Sequence, residues 1–418
     1  MMPAVSAART FALPWGAWSE DATVELAAPE GCEVELLPMQ PAAPLTPAAI
    51  DAALDAPIHA ARLQELGTGV RSAVIVIDDI TRPTRTAEIL PPLIERLLAA
   101  GVAADAITIL IANGAHRAAS AADLEKKVGA ALLARFAVQS HDAGGDLTPT
   151  GVDLAGTPVC VSRAFAAADL RIGISAVMPH PFAAFSGGAK LVIPGLANLD
   201  ALARSHKFAL MGFSGGRNPD ANRFRQQMEE AVRRIGFHWV ACAVVNDRRD
   251  TVGLFAGDLE RAHRAAATAA AEIAVTHPPS SPLDALILNA YPKDGELLQI
   301  EAAFVGLRSG MFEWLQPGAP IVLAAACQEG LGVHRLFGPG GSLFRTPSPR
   351  GFLGQHPLWI YSPAAQEADV RQVFCDRYPL FSSWSAVAAA LETHAPGAAR
   401  RLGVVPCAPL QLAAARAS

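Results

Sequence analysis

Five short stretches of this 418-residue chain hold the side chains best suited to chemistry. "DDITRPT" (78–84) follows an apolar run and offers Asp79, Thr81 and Arg82 within four positions. Arg82 carries a planar fork of donors that fits a carboxylate or phosphate. Asp79 is placed to orient an imidazole or the arginine itself, although an Asp in such a turn also serves simply to cap the next helix. "NGAHR" sets His116 at a helix start, where the helix end favours neutral imidazole over imidazolium and so suits a general base. In "MPHPF", Pro179 and Pro181 stiffen the backbone on both sides of His180, and stiffness is what a positioned acid–base group needs. "SGGAK" (186–190) reads as a turn whose consecutive glycines, Gly187 and Gly188, let backbone amides approach an anion. It is not a Walker A loop, because Leu191 rather than Ser or Thr follows the lysine. Lys190 is then either a surface lysine or, turned inward with a lowered pKa, a nucleophile or covalent anchor. His206 follows sixteen residues later in "RSHKF", a position that also suits an ordinary histidine on a helix face.

The elements that carry these loops show as an alternation of apolar runs. "SAVIVI" (72–77) reads as a strand buried on both faces, and "AITILIA" (106–112) and "DLRIGIS" (169–175) read as further strands. Between the first two, Ile89, Leu90, Leu93, Ile94, Leu97 and Leu98 form one helical stripe, with Pro91 and Pro92 fitting only its first turn and Gly101 ending it. A helix from about 120 to 135 and a less regular stretch follow. Strand, loop, helix, strand in this rhythm predicts βαβ units and a parallel sheet. Ligands of such sheets bind beyond the carboxyl ends of the strands, so one crevice can gather Asp79, Arg82, His116 and His180. Farther on, 222–237 is amphipathic, 238–245 and 251–256 suit a hairpin, and an alanine-rich helix spans about 257–275. The reading is α/β: two α/β domains with mostly parallel sheets, an N-terminal one over 1–275, a linker at 276–282 ("THPPSSP") and a smaller C-terminal one over 283–418. Residues 1–70, with a strand at "EVELLP" and a helix at 47–62, are expected to pack on the first domain.

Composition narrows the function. Hydrophobic residues make up 51% and charged residues 17%, enough for large cores. A net charge of −5 argues against a nucleic-acid partner. Six scattered cysteines without a CxxC pair exclude a zinc ribbon and argue against a disulfide framework. With no long apolar run and no signal-like N-terminus, the expectation is a cytoplasmic protein that does not span a membrane.

Taken together, "DDITRP", "GAHR", "PHPFAAFSGGAKLVIPG", His206, "GDLERAH" and "YPKD" resemble the nickel-dependent lactate racemase family, from about residue 70 into the second domain. The resemblance implies a racemase or epimerase of a 2-hydroxy acid, with the active site in the interdomain crevice. It also implies nickel held in a pyridinium-3,5-bisthiocarboxylic acid mononucleotide, the nickel-pincer nucleotide, which accessory enzymes build. By the same resemblance Lys190 is the covalent anchor and His206 the nickel ligand. His116 and His180 are the acid–base pair, Asp79 and Arg82 lie beside the substrate, and Thr81, Ser186, Gly187, Gly188 and Lys293 line the cofactor site. Hydrogen would leave C2 as hydride and a 2-keto acid would form transiently, because the C2–H is too weakly acidic for imidazole. Two other readings compete: a zinc hydrolase using His116, His180 and His206, and a non-catalytic binder of a phosphorylated small molecule. A Schiff-base lysine enzyme built on Lys190 is a further alternative.

Overall fold

The computed structural model describes residues 10–19, 23–209, 217–394 and 400–414. The chain divides into two compact units. One comprises Pro41–Ala274 with Val333–Phe344; the other comprises Val275–Gly332 and Arg345–Ser418 with the described part of Met1–Gln40. This corrects the expected partition. The described residues among 1–40 group with the C-terminal unit, and a twelve-residue piece from far downstream, Val333–Phe344, groups with the N-terminal one.

The larger unit is built on a six-stranded sheet in the order Thr251–Asp258, Trp239–Val245, Leu170–Ala176, Ala73–Asp78, Ile107–Ala112, Ala137–Ser140. All neighbours are parallel except the hairpin pair Trp239–Val245 and Thr251–Asp258, which fills one edge. Ala73–Asp78 is buried along its whole length, which explains its unbroken apolar sequence. The helix Thr86–Ala99 covers one face, burying Ile89, Leu90, Leu93, Ile94 and Leu97; each such side chain contributes about 1.5–3 kcal/mol. Pro91 and Pro92 lie in its second turn rather than its first, because the helix starts at Thr86, ahead of the apolar stripe that begins at Ile89. The helix expected over 120–135 is split into Ala121–Val128 and Ala130–Leu133 at Gly129, whose φ of 86° no helix accommodates. The stretch read as irregular contains an antiparallel hairpin, Leu147–Leu154 with Thr157–Ser162.

The smaller unit holds an all-parallel six-stranded sheet, ordered Leu380–Phe381, Leu358–Tyr361, Ile321–Ala324, Ala285–Asn289, Arg400–Val405, Cys32–Leu36. The "EVELLP" strand therefore pairs with Arg400–Val405 instead of packing on the N-terminal unit. Its half-exposed pattern is that of an edge strand, and nothing local to it encodes which sheet it borders. All six cysteines are free. Among the described residues no helix is long and apolar enough to cross a membrane.

Candidate functional site

The chain enters the larger sheet at Ala73–Asp78, adds strands on one side, then returns to add Leu170–Ala176 on the other. Such a reversal opens a crevice at the carboxyl ends of the two central strands. Asp79 and the "PHPFAAFSGGAK" loop leave from those two ends, and His116 follows the adjacent Ile107–Ala112. Asp78 ties the ends together. Its carboxylate accepts from Ala176 N at 3.0 Å, Thr84 Oγ1 at 2.6 Å and the buried Lys127 Nζ at 2.6 Å. The His116 loop is fastened to the segment beyond the lysine by Gly114 N donating to Gly195 O at 2.9 Å.

His116 Nδ1 is in close contact with Asp79 Oδ2, and Thr81 Oγ1 donates to the other carboxylate oxygen at 2.7 Å. Burial opposes the charge of Asp79, but His116, Arg82 and the Thr81 hydroxyl outweigh it and hold the carboxyl well below its usual range. A carboxylate at Nδ1 fixes the proton there and makes Nε2 the accepting atom. His180 is oriented the opposite way. Its Nδ1 accepts from the amides of Phe182 at 3.1 Å and Ala183 at 3.3 Å, so the neutral ring carries its proton on Nε2. His206 resembles His116: Nδ1 donates to Leu202 O at 2.8 Å, leaving Nε2 with a lone pair. Its pKa is pushed down to about 4, by burial first and then by Lys190, His116 and Arg82.

The loop that carries Lys190 is held from behind. Arg225, fully buried, donates to the carbonyls of Ala183 (3.0 Å) and Phe185; Asn222 Nδ2 donates to Phe182 O (3.0 Å), and His263 Nε2 to Ser186 O (2.8 Å). Gly187 and Gly188 both have positive φ, 77° and 60°. A Cβ on Gly187 would lie 2.8 Å from Ala176 O, and one on Gly188 3.0 Å from the His263 ring. The glycines are thus required by the turn and by close packing. Ser186 Oγ bonds Ala176 O and Met178 N, and the Gly188 amide bonds Ser175 Oγ. The Ser186 hydroxyl and the Gly188 amide thus have partners within the fold. What the loop presents is Lys190, whose amine burial, Arg82 and Arg225 hold well below the ordinary lysine range.

Rings connect the histidines. Centroids run His180–Phe182 5.9 Å, Phe182–His206 6.4 Å, His206–His334 6.1 Å and His334–His116 5.2 Å. His116 and His180 stand at the two ends of this string, and His206 lies within it. Asp79, Thr81, Arg82, His116, His180, Lys190 and His206 all belong to the larger unit. Lys293 lies in the smaller one, where its Nζ donates to Gln299 Oε1 at 3.1 Å. Sequence reading missed His334, because no periodicity marks "LGVHRLFG", and missed the roles of Arg225 and His263. "GDLERAH" was the one signal for the latter. Among the described residues no three His, Cys, Asp or Glu side chains gather into a metal-binding group, so the zinc reading of His116, His180 and His206 has no such centre. The donor set does fit a metal that arrives with its own ligands: one imidazole lone pair at His206, with the Lys190 amine, whose pKa is lowered by burial, in the same site.

Residues 20–217 match the family model described as the lactate racemase N-terminal domain. The chain is 28% identical over 286 residues to a lactate racemase of Thermoanaerobacterium thermosaccharolyticum, an alignment spanning 67% of this chain and 66% of that relative. It is also 28% identical over 313 residues to a lactate racemase of Lactiplantibacillus plantarum, covering 73% and 71% of the two chains. In fold it is similar to the lactate racemase apoprotein structure from T. thermosaccharolyticum (TM-score 0.73, 21% identity, 97% of this chain and 100% of that one). A Thermotoga maritima protein of solved structure also matches (TM-score 0.66, 19% identity, 88% and 98%).

Proposed function

Because the chain belongs to the lactate racemase family, we propose that it racemises lactate or a closely related 2-hydroxy acid, with Lys190 and His206 holding a nickel-pincer nucleotide. The observation that supports this most directly is the pair of histidines in opposite tautomers, His116 presenting an acceptor and His180 an N–H. Inversion of a hydroxyl-bearing carbon needs one group to take the hydroxyl proton and another to supply one.

Arg82 is the cation for the substrate carboxylate: its charge already biases Asp79, Lys190, His206 and His334. His116 Nε2 takes the hydroxyl proton, and Asp79 stabilises the imidazolium that results. When bound, the nickel-bearing ring supplies the acceptor for the hydrogen on C2. His180 Nε2–H faces the oxygen on the return. For His180 to act as base in the reverse sense, its Nδ1 must release the Phe182 and Ala183 amides, which are two long bonds. Lys190, its pKa lowered by burial, Arg82 and Arg225, is suited to be the nucleophile that ties the cofactor to the chain.

The test is chiral chromatography of single enantiomers of lactate and larger 2-hydroxy acids, incubated with cofactor-loaded protein. Racemisation that disappears in His116→Ala, with nickel content retained, is the expected result. Loaded wild-type protein that leaves every enantiomer unchanged overturns the proposal.

A further inference from the structure

His334 stands among the groups just described, yet nothing in the reaction as derived uses it. Its segment, Val333–Phe344, is fixed to the larger unit by Arg335 N donating to Ala115 O at 2.8 Å and by Arg335 Nη1 on Asp142 Oδ1 at 2.6 Å. His116 and His334 are directly opposed in an antiparallel bridge. Residues so paired project their side chains to the same side, and the two rings are 5.2 Å apart at 72°. The His206 ring lies 6.1 Å away at 90°, and Phe337 backs the imidazole at 4.9 Å. His334 Nδ1 accepts from the amides of Leu336 at 3.3 Å and Phe337 at 3.2 Å. The ring's proton is therefore on Nε2, on the side turned away from its own segment. Among the described residues no protein acceptor meets that N–H.

We infer that His334 is a third histidine of the reaction centre, donating its Nε2–H to the C2 oxygen of the substrate while His116 removes that oxygen's proton. This rests on the racemase reading above. A hydroxyl has one proton and two lone pairs, so both contacts can be made at once. As the proton moves to His116, negative charge grows on the oxygen, and a fixed neutral donor stabilises it without offering a competing proton. The two backbone amides on Nδ1 keep the ring in that tautomer. No bond to His334 forms or breaks.

His334→Phe keeps a ring and removes the donor; His334→Gln restores an N–H at about the reach of Nε2. In cofactor-loaded enzyme, His334→Phe is expected to lower kcat about 100-fold with unchanged nickel content, and His334→Gln to recover about tenfold of it. In unloaded protein labelled with ¹⁵N-histidine, pyruvate should shift the Nε2–H resonance that disappears in His334→Phe. Equal kcat in His334→Phe and wild type overturns the inference and leaves the racemase reading standing, as does a resonance that pyruvate does not move. Loaded wild type that racemises no substrate removes both.

Discussion

Replacing Asp79 by asparagine changes one atom's charge and, with it, the proton on His116. The carboxylate is 3% exposed and contacts Nδ1 directly, with its second oxygen held by Thr81 at 2.7 Å. Two losses follow. A charge-assisted hydrogen bond worth about 1.5–3 kcal/mol disappears, which is roughly a 10- to 150-fold loss if it is felt fully in the transition state. The amide can also present N–H to Nδ1, moving the ring proton to Nε2, where it blocks the acceptor. In comparable His–Asp pairs the combined loss in kcat is about 10⁴-fold. We therefore expect Asp79→Asn to lower kcat between about 10²- and 10⁴-fold, with the fold and nickel content unchanged. Chiral chromatography of the product, with nickel measured on the same sample, reads both quantities. Thr81→Val, which leaves the carboxylate in place, should lose only about 3- to 10-fold. Asp79→Asn within threefold of wild type would show that His116 does not depend on the carboxylate, and the base assignment would fall with it.

Lys190→Ala should carry no covalent cofactor by intact mass; an adduct persisting in that variant places the anchor elsewhere. Asp78→Asn leaves the Lys127 ammonium, 1% exposed, without its carboxylate. It should destabilise the protein by about 3–5 kcal/mol, or roughly 6–20 °C in melting temperature; a drop under 2 °C contradicts this. His141 and His263 are 4% and 0% exposed, and burial lowers both their pKa values. Above the unfolded value of about 6.5 both states leave these rings neutral. As pH falls below it, only the unfolded chain takes up the protons, so stability should decline by up to about 1.4 kcal/mol per pH unit for each ring. Thermal melts from pH 7 to 5 check this, and a melting temperature that stays flat across that window refutes it.

Much of the larger unit was legible because apolar runs report burial directly. The unbroken "AVIVID" and "ITILIA" became central strands, and 238–256 became a hairpin as read. The catalytic candidates were legible for the same reason: each follows a strand, and strand ends converge. Partners distant in sequence left no such trace. "CEVEL" has the composition of an edge strand but no local feature naming Arg400–Val405 as its neighbour. His334 lies more than 200 positions from His116, on a segment without regular structure. The glycine pair was read as an amide cradle because spacing shows where a turn falls. It does not show that the Gly188 amide bonds Ser175 Oγ and the Ser186 hydroxyl bonds Met178 N.

The excursion of Val333–Phe344 into the larger unit sets an order of assembly. During synthesis, Ala73 through Ala274 can collapse around its own sheet, but Ala115 O, Asp142 and the His116 ring have no downstream partners until the ribosome has passed residue 344. The strand Cys32–Leu36, made near the start, waits still longer for Arg400–Val405. A nascent chain stalled between those points would hold the lysine and three of its histidines in place while one sheet edge stays bare, and it is there that chaperones should be needed most.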